Sequence, residues 1–238
     1  NVVHNRIGKL DPDLADQIAA GEVVERPASI VKEVVENSLD AGSKNIDISV
    51  SGGGLKSIYV SDDGHGIHEA DLTLAIQRHA TSKISKSEDL LSISTLGFRG
   101  EALASIASVS RFKLSSRSGQ SEAGWMISTA GDSKFSKEPI AHNRGTTVHA
   151  DELFFNVPAR RKFLKSERAE NRQIETVVKK ISLANMSVAF SYGQSGSSKN
   201  ERGLRKLELK AGDPRQRLAD VLSPDFVENS IFLDETRN

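Results

Sequence analysis

One stretch near the start of the chain decides the fold class. It runs Arg26-Pro27-Ala28-Ser29-Ile30-Val31-Lys32-Glu33-Val34-Val35-Glu36-Asn37-Ser38-Leu39-Asp40-Ala41-Gly42. The apolar side chains recur at three- and four-residue steps, which predicts an amphipathic helix from Ile30 to Ala41 with one buried stripe. Pro27 suits the first turn of a helix, Ser29 is the expected cap, and Gly42 is the expected stop.

The hydrophobic period changes to two directly after this helix. Residues 46–50 and 58–60 alternate apolar and polar side chains, and Gly52-Gly53-Gly54 separates the two runs. This pattern predicts a β-hairpin with one buried face. The second strand ends in Ser61-Asp62-Asp63-Gly64-His65-Gly66, which places two carboxylates and two glycines at a strand end.

Short helices and strands are predicted over the rest of the chain. The helices are Glu69 to His79, Glu101 to Ser108, Asn171 to Ala184 and Pro214 to Leu222. The strands are Arg111 to Ser116, Glu122 to Thr129, Thr146 to Ala150, Ser187 to Tyr192 and Leu204 to Leu209, with a further strand starting at Ile231 to Leu233. Because the strands meander instead of alternating strictly with helices, we expect an α+β sandwich, with a mixed, mostly antiparallel sheet covered by helices. The polar, breaker-rich residues 81–100 predict a functional loop.

Composition excludes several classes of protein. The 238 residues suit one large domain, or one domain plus a piece of another, at about 150 residues per domain. With 32 basic and 32 acidic side chains, the formal charge is zero and gives no global attraction to nucleic acid or to a membrane. Without cysteine, disulfides and thiolate metal sites are excluded. No apolar run reaches the roughly 18 residues of a membrane span, and no signal peptide is visible, so we expect an intracellular globular protein.

Two common sites for nucleotides and metals are also missing from the sequence. It contains no G-x-x-x-x-G-K-[ST] stretch, so any nucleoside triphosphate is not held by a Walker P-loop. It contains no H-E-x-x-H motif either. His65 and His68 lie three residues apart without a third ligand nearby, which disfavours a metal site at these two residues.

Three polar side chains are placed next to buried apolar stripes. Glu33 and Asn37 lie four residues apart on one helix face, and Asp62 lies at a strand end. Taken singly, a solvated helix carboxylate, a mid-helix amide and a turn aspartate need no function. Together they suit Mg²⁺, which takes few protein oxygens and leaves room for phosphate and water. A carboxylate one turn from an amide ligand can activate water for attack on a phosphoryl group.

Paired glycines form the second component of the predicted site. Gly64 and Gly66 follow the strand, and Gly97 and Gly100 flank Phe98-Arg99 ahead of the Glu101 helix. Glycine lets backbone N–H groups approach an anion closely, and a helix start adds a favourable dipole. The second pair combines glycines, a cation and a helix start, which predicts a phosphate-binding segment.

Seven blocks of sequence carry a close resemblance to a known family. They are Ala19-Ala20-Gly21-Glu22-Val23-Val24-Glu25-Arg26-Pro27, Lys32 to Gly42, Asp62 to Ile67, Arg78 to Ile84, Thr95 to Ile106, Gly145-Thr146-Thr147-Val148, and Leu153 to Phe163. In this order they resemble the MutL family of DNA mismatch-repair ATPases, in its bacterial form. E-x-x-x-N and D-x-G-x-G alone are shared with the gyrase, Hsp90 and histidine kinase relatives. The blocks around Arg26-Pro27, Gly97 to Gly100 and Ala159 to Phe163 distinguish MutL.

The resemblance implies a fold and a set of residue roles. The fold is a Bergerat-type ATPase sandwich over residues 1–208, with a lid at about 83–100, followed at 209–238 by the incomplete start of a second α/β, ribosomal S5-like domain. Glu33 becomes the general base, Asn37 the Mg²⁺ ligand and Asp62 the acceptor for the adenine amino group. The other implied nucleotide-binding residues are Gly64, Gly66, Lys83, Gly97, Phe98, Arg99, Gly100, Glu101 and Thr147.

The resemblance also implies cofactors and partners. ATP and Mg²⁺ are the expected cofactors, and ATP-dependent dimerisation of the chain with itself is expected to form a clamp. Non-specific DNA, the mismatch-recognition protein MutS and a downstream repair endonuclease or helicase are the expected partners, in the bacterial cytosol and without a membrane.

Two points stay open at the level of sequence. The family completes its phosphate site with a lysine from the second domain, so this chain alone is either a slow ATPase or a nucleotide-binding and dimerisation module with little hydrolysis. The cluster Arg160, Arg161 and Lys162 is either a solvated turn or a contact to DNA or a partner. A histidine kinase relative is disfavoured because no dimerisation helix carries a phosphoacceptor histidine.

Overall fold

A single eight-stranded sheet organises the part of the chain described by the computed structural model, residues 9–78, 100–132, 134–195 and 205–231. The strands are β1 Asn45–Ser51, β2 Ser57–Asp62, β3 Arg111–Arg117, β4 Gly124–Thr129, β5 Phe135–Ile140, β6 Gly145–Asp151, β7 Ala189–Ser195 and β8 Arg205–Leu209. Their order across the sheet is β5-β4-β3-β6-β2-β1-β7-β8. β1 and β7 pair parallel, and the other neighbours pair antiparallel. The predicted α+β class is confirmed.

Eight helices accompany the strands in these residues. They are α1 Pro12–Val23, α2 Pro27–Asp40, α3 Leu72–Ala75, α4 Ala102–Ser108, α5 Pro158–Lys162, α6 Glu167–Ala184, α7 Pro214–Val221 and α8 Pro224–Glu228, with a 3₁₀ turn at Gly52–Gly54. None of the helices in the described ranges is long and apolar enough to cross a membrane.

The core lies between the sheet and the helices α2, α4 and α6. In β1 and β2 the side chains alternate as predicted, so that Ile48 and Val60 are paired in register and both buried. Val31 and Val35 of α2 are fully buried against this face. The intervening side chains of β1 and β2, such as Tyr59, lie on the opposite, polar face of the sheet.

The start of α2 differs from the prediction. Arg26 is the N-cap residue and Pro27 occupies the first turn, so Ser29 lies inside the helix and the expected cap at Ser29 is wrong. Proline at this position is favoured because its missing N–H would have no partner there. The expected stop is confirmed, since Gly42 follows the helix with a φ of 73°.

Two elements carry no strong pattern in the sequence. The helix α1 buries only Ala20 completely, and β5 is an edge strand with an exposed surface along almost all of its length.

The expected helix from Glu69 is reduced to the four residues of α3, of which only Leu72 is buried; His79 lies outside the described residues. Ile231 is not in a strand, and residues 232–233 are also outside.

A buried arginine ties α7 to the sheet. The side chain of Arg217 is 1% exposed and donates to the carbonyls of Ser182, Val188, Leu209 and Lys210 at 2.7 to 3.3 Å. Its guanidinium also lies 5.6 Å from the ring centre of Phe190. Burial lowers the pKa of Arg217, although the charge of Asp220 raises it. α7 is therefore joined to the sheet by several bonds, while the expected domain boundary between residues 208 and 209 stays a prediction.

Candidate functional site

The carboxylate of Asp62 at the end of β2 is held by three donors. Ser38 on α2 donates its hydroxyl to Oδ2 at 2.7 Å. The backbone N–H groups of Gly64 and Thr146 donate to Oδ1 at 2.9 and 3.2 Å. A carboxylate can accept about four hydrogen bonds, so Oδ2 keeps room for one further donor. The arrangement fixes the orientation of the Asp62 carboxylate and of its remaining acceptor position.

The helix α2 positions the two other predicted polar residues. Glu33 and Asn37 are half-buried on the face beside the buried stripe, and Asn37 directly precedes Ser38. Lys32 lies 3.4 Å from Glu33 and 2.9 Å from Glu36. Burial lowers the pKa of Lys32, but the hydrogen bond to Glu36 and the charges of Glu33 and Glu36 raise it above its ordinary value overall. Both carboxylates therefore share one cation.

The glycines after Asp62 allow this part of the chain to pass close to neighbouring segments. Gly66 has a φ of 72°, and a Cβ at this position would overlap the carbonyl oxygen of Arg117. A side chain there is excluded both by backbone conformation and by space. Gly64 packs against Ala41 and Ser43, so the turn lies directly on the end of α2.

The two threonines at the start of β6 point to opposite faces of the sheet. Thr146 is paired in register with Asp62, and its hydroxyl lies 2.9 Å from that of the buried Ser116. Thr147 points away from this site, since its hydroxyl lies 2.9 Å from Ser61 Oγ and 2.9 Å from His142 Nε2. Adjacent side chains of a strand alternate, so Thr146 and not Thr147 lies on the face of Asp62, and the nucleotide-binding role implied for Thr147 stays a prediction.

The predicted phosphate-binding segment is described only at its end. Gly100 has a φ of 62°, and Glu101 is the N-cap residue of α4, which packs against α1 and α2. The other predicted residues of this segment lie outside the described residues. They are Lys83, Gly97, Phe98 and Arg99.

The three predicted basic contacts divide into two kinds. Arg161 and Lys162 are exposed on α5. Arg160 is half-buried and donates to the carbonyl oxygen of Ile18 in α1 at 3.1 Å.

The donor set suits a magnesium ion with few protein ligands. No group of three or more His, Asp or Glu side chains able to hold a metal occurs within the described residues. Asn37 offers an amide oxygen and Glu33 a carboxylate, four residues apart on the same helix. A hard cation at Asn37 would take its remaining ligands from phosphate and water, as Mg²⁺ commonly does.

Comparison with known proteins identifies the family. Residues 25–149 match the family described as histidine kinase-, DNA gyrase B-, and HSP90-like ATPase. The DNA mismatch repair protein MutL of Cellvibrio japonicus is 48% identical over 237 residues, which cover 98% of this chain and 37% of that protein. MutL of Actinobacillus pleuropneumoniae is 49% identical over 227 residues, covering 94% of this chain and 36% of the relative. The chain belongs to the MutL family.

Solved structures agree with this assignment. The MutL ATPase domain of Aquifex aeolicus complexed with ADP has a TM-score of 0.65 at 34% identity, covering 84% of this chain and 69% of that one. The N-terminal domain of a DNA repair protein has a TM-score of 0.73 at 27% identity, covering 87% of this chain and 60% of that one. The chain spans about 37% of the length of the MutL relative from Cellvibrio japonicus.

Ser38, like Thr146, is a candidate site residue of this MutL-family chain that sequence reasoning missed. It occupies a position in the apolar stripe of α2 and is 2% exposed. A polar residue at a buried position of a helix is a signal that it has a specific partner. That partner, Asp62, lies 24 residues further along the chain, so no local pattern identifies it.

Replacing this hydroxyl should weaken nucleotide binding. In Ser38→Ala the side chain keeps its packing, but Asp62 loses a donor, and we expect the Kd for ATP to rise at least about tenfold, the low end of the range for one hydrogen bond to a charged group. Isothermal titration calorimetry with Ser43→Ala as control measures this. Ser43 is equally buried but bonds the Ser38 carbonyl instead of Asp62. Equal affinities in the two variants would contradict a positioning role for the hydroxyl of Ser38.

Asp63 has a structural task in the MutL-family D-x-G-x-G block. Its carboxylate accepts from Lys44 N, Asn45 N and Asn45 Nδ2 at 2.7 to 2.9 Å, which joins the end of β2 to the start of β1. Burial raises the pKa of Asp63, but the hydrogen bonds from Asn45 and Lys44 outweigh burial and lower it below its ordinary value.

The lowered pKa predicts an acid dependence of stability. A carboxylate whose pKa is lower in the folded than in the unfolded state contributes its full stabilisation at pH values above its unfolded-state pKa. This contribution is lost as the pH falls through the folded-state pKa. We expect the free energy of unfolding to decrease less between pH 5 and about pH 2 in Asp63→Asn than in the wild type or in Asp47→Asn, an exposed control on β1. Urea titrations at each pH give the comparison, and parallel curves for all three proteins would refute this role.

Proposed function

We propose that the chain is the ATP-binding, slowly ATP-hydrolysing N-terminal module of a mismatch-repair protein of the MutL family. The observation that carries the proposal is the bond between Ser38 of α2 and Asp62 of β2. It brings the carboxylate of Asp62 to the helix that bears Glu33 and Asn37. The family assignment supports nucleotide binding by this arrangement.

Asp62 selects the base in this proposal. Its three protein partners are all donors, so the carboxylate acts as an acceptor only. The amino group of adenine donates at the position where guanine has a carbonyl oxygen, which the carboxylate would repel. Thr146, paired with Asp62, supports the base side of the site.

Glu33 and Asn37 act on the phosphates. Asn37 holds Mg²⁺ through its amide oxygen, and the ion when bound neutralises phosphate charge. Glu33, one turn before Asn37, accepts a proton from the water that attacks the γ-phosphate. Lys83 and the segment from Gly97 to Glu101 are proposed to close over the phosphates through backbone N–H groups and positive charge.

Base selectivity tests the site directly. We expect the wild-type chain to bind ATP at least about tenfold more tightly than GTP, and Asp62→Asn to lose this preference, because an amide can donate as well as accept. Asp63→Asn is the matched control, since Asp63 bonds Lys44 and Asn45. An unchanged ratio of the ATP and GTP dissociation constants in Asp62→Asn would overturn the assignment.

The second part of the proposal is a nucleotide-gated clamp. In this clamp ATP binding dimerises two chains, and hydrolysis releases them. The exposed apolar side chains Leu10, Leu14 and Ile18, at four-residue spacing, offer a surface for this dimer. Gel filtration with and without a non-hydrolysable ATP analogue tests the clamp: a dimer only with the analogue supports it, and the same state in both contradicts it.

The proposed partners follow the family. They are non-specific DNA, the mismatch-recognition protein MutS and a downstream repair endonuclease or helicase, in the bacterial cytoplasm. Of the basic residues on α5, the exposed Arg161 and Lys162 are available to a phosphate backbone.

The alternative is a nucleotide-binding and dimerisation module without significant hydrolysis. The chain spans 36 to 37% of the length of the two MutL relatives compared, so the activity of the whole relatives does not decide between the two functions. Comparing the dissociation constant for ATP with steady-state turnover in this chain separates the two. Tight binding with no turnover above the buffer rate would select the alternative.

A further inference from the structure

Arg160 differs from the other cations of its cluster in its surroundings. Its guanidinium lies 6.0 Å from the ring centre of the buried Phe154, and Nη2 donates to the carbonyl oxygen of Ile18. Its Nη1 atom is buried. A cation that contacts phosphates must reach solvent, whereas Nη1 of Arg160 is buried and Nη2 bonds a carbonyl oxygen of the protein itself.

A glycine of α1 makes room for this side chain. A Cβ at Gly21 would overlap Nη2 of Arg160 and lie 2.7 Å from its Cζ. Glycine within a helix costs about 1 kcal/mol relative to alanine. The absence of a side chain at Gly21 therefore serves the close approach of Arg160, and helix stability alone would favour alanine.

The helix α1 needs such a contact because its apolar packing is weak. Ala20 is its only fully buried residue, whereas Leu14 and Ile18 are about half exposed. Polar anchors supplement this packing. Arg78 forms an ion pair with the carboxylate of Asp16 at 2.6 Å and donates to its carbonyl oxygen at 2.8 Å, and Arg160 donates further along the helix to the carbonyl oxygen of Ile18.

We propose that Arg160 is a positioning residue that fixes α1 on the domain through the space left by Gly21, and that it is not a DNA contact. The charge of Arg160 is used within the protein, so the basic surface of α5 consists of Arg161 and Lys162. The position of α1 then depends on a residue of the Leu153 to Phe163 block, more than 130 residues away in sequence.

A mutant cycle between Gly21 and Arg160 tests the contact. Alanine at position 21 displaces the guanidinium and loses the bond to Ile18, so we expect Gly21→Ala to leave Tm unchanged or lower it in the presence of Arg160. In the Arg160→Ala background the same change has no guanidinium to displace and gains helix propensity, so it should raise Tm by about 2–4 °C. An equal effect of Gly21→Ala in both backgrounds would overturn the proposed contact.

Hydrogen exchange distinguishes a local positioning role from general destabilisation. We expect Arg160→Ala to speed exchange of the amides near the C-terminal end of α1 about tenfold, while amides of α6 change little. Arg160→Lys keeps the charge but not the planar fork, so it should restore protection only in part. Arg161→Ala is the control on the same helix and should leave α1 unchanged.

If Arg160 is a DNA contact instead, the same experiments give the opposite results. A phosphate contact predicts that Arg160→Ala reduces the salt dependence of binding to duplex DNA as Arg161→Ala does, that Arg160→Lys restores it, and that α1 exchange does not change. Unchanged α1 exchange in Arg160→Ala by itself overturns the proposal, whatever the affinity for DNA. Neither readout on α1 requires nucleotide, so the result is independent of the proposed ATPase activity.

Discussion

Glu33→Ala should retain ATP binding within about twofold and lose at least about a hundredfold in turnover, the usual contribution of a positioned general base. The proposed adenine site consists of Asp62 and its donors, none of which contacts Glu33 through the bonds described. Binding and hydrolysis should therefore separate in this variant. Equilibrium binding of ATP and steady-state phosphate release measure the two quantities.

Glu36→Ala is the matched control for this prediction. Glu36 lies on the same helix and shares Lys32 with Glu33, so its removal changes the local charge equally. We expect its turnover to stay within about threefold of the wild type, because it is not the base in this proposal.

Asn37→Ala should instead raise the Mg²⁺ concentration needed for turnover. If both Glu33→Ala and Asn37→Ala hydrolyse ATP at the wild-type rate, the proposed ATPase mechanism is contradicted.

Arg217→Met should destabilise the fold by roughly 3 kcal/mol or more, because several buried carbonyls lose their donor at about 1–3 kcal/mol each. The substitution fills much of the same volume but leaves carbonyls of α6, of β8 and of Val188, just before β7, without their donor. An unmade bond at a buried polar group costs more than the bond itself contributes. Urea unfolding followed by circular dichroism gives the change in free energy.

Arg215→Met controls for the loss of a positive charge from α7. Arg215 is exposed on the same helix, and surface substitutions usually change stability by less than about 0.5 kcal/mol. Arg217→Lys should fall between the two, since one ammonium donates three bonds and lacks the guanidinium fork. If Arg217→Met and Arg215→Met unfold at the same urea concentration, the bonds of Arg217 do not hold α7 to the sheet.

The elements predicted correctly from sequence are those with a strong burial pattern. α2 and the β1–β2 hairpin alternate buried and exposed positions at the periods of a helix and a strand, so their patterns are visible locally. α1 lacks a buried stripe, and β5 is exposed at an edge, so neither has such a pattern. Their places are set by contacts to distant segments.

Only part of the candidate site could be predicted in the same way. Glu33 and Asn37 follow from helix spacing, but the bond from Ser38 to Asp62 joins two elements and needs the fold. The position of Thr146 could have been predicted, because the apolar Val148 and Ala150 of β6 are buried and a period of two puts Thr146 on the same face of the strand. The part played by Arg160 in holding α1 depends on a contact between segments 142 residues apart.

Because β1 pairs in parallel with the distant β7, one edge of β1 is exposed in the nascent chain during synthesis. β1 forms its hairpin with β2 from nearby residues, but its other edge is covered only by residues 189–195. When synthesis has reached only about residue 150, β7 has not yet been made. The backbone N–H and C=O groups on that edge of β1 then have no neighbouring strand. An uncovered edge of this kind recruits strands from other chains. Synthesis of α6 and β7 therefore ends a period in which the nascent protein is open to aggregation.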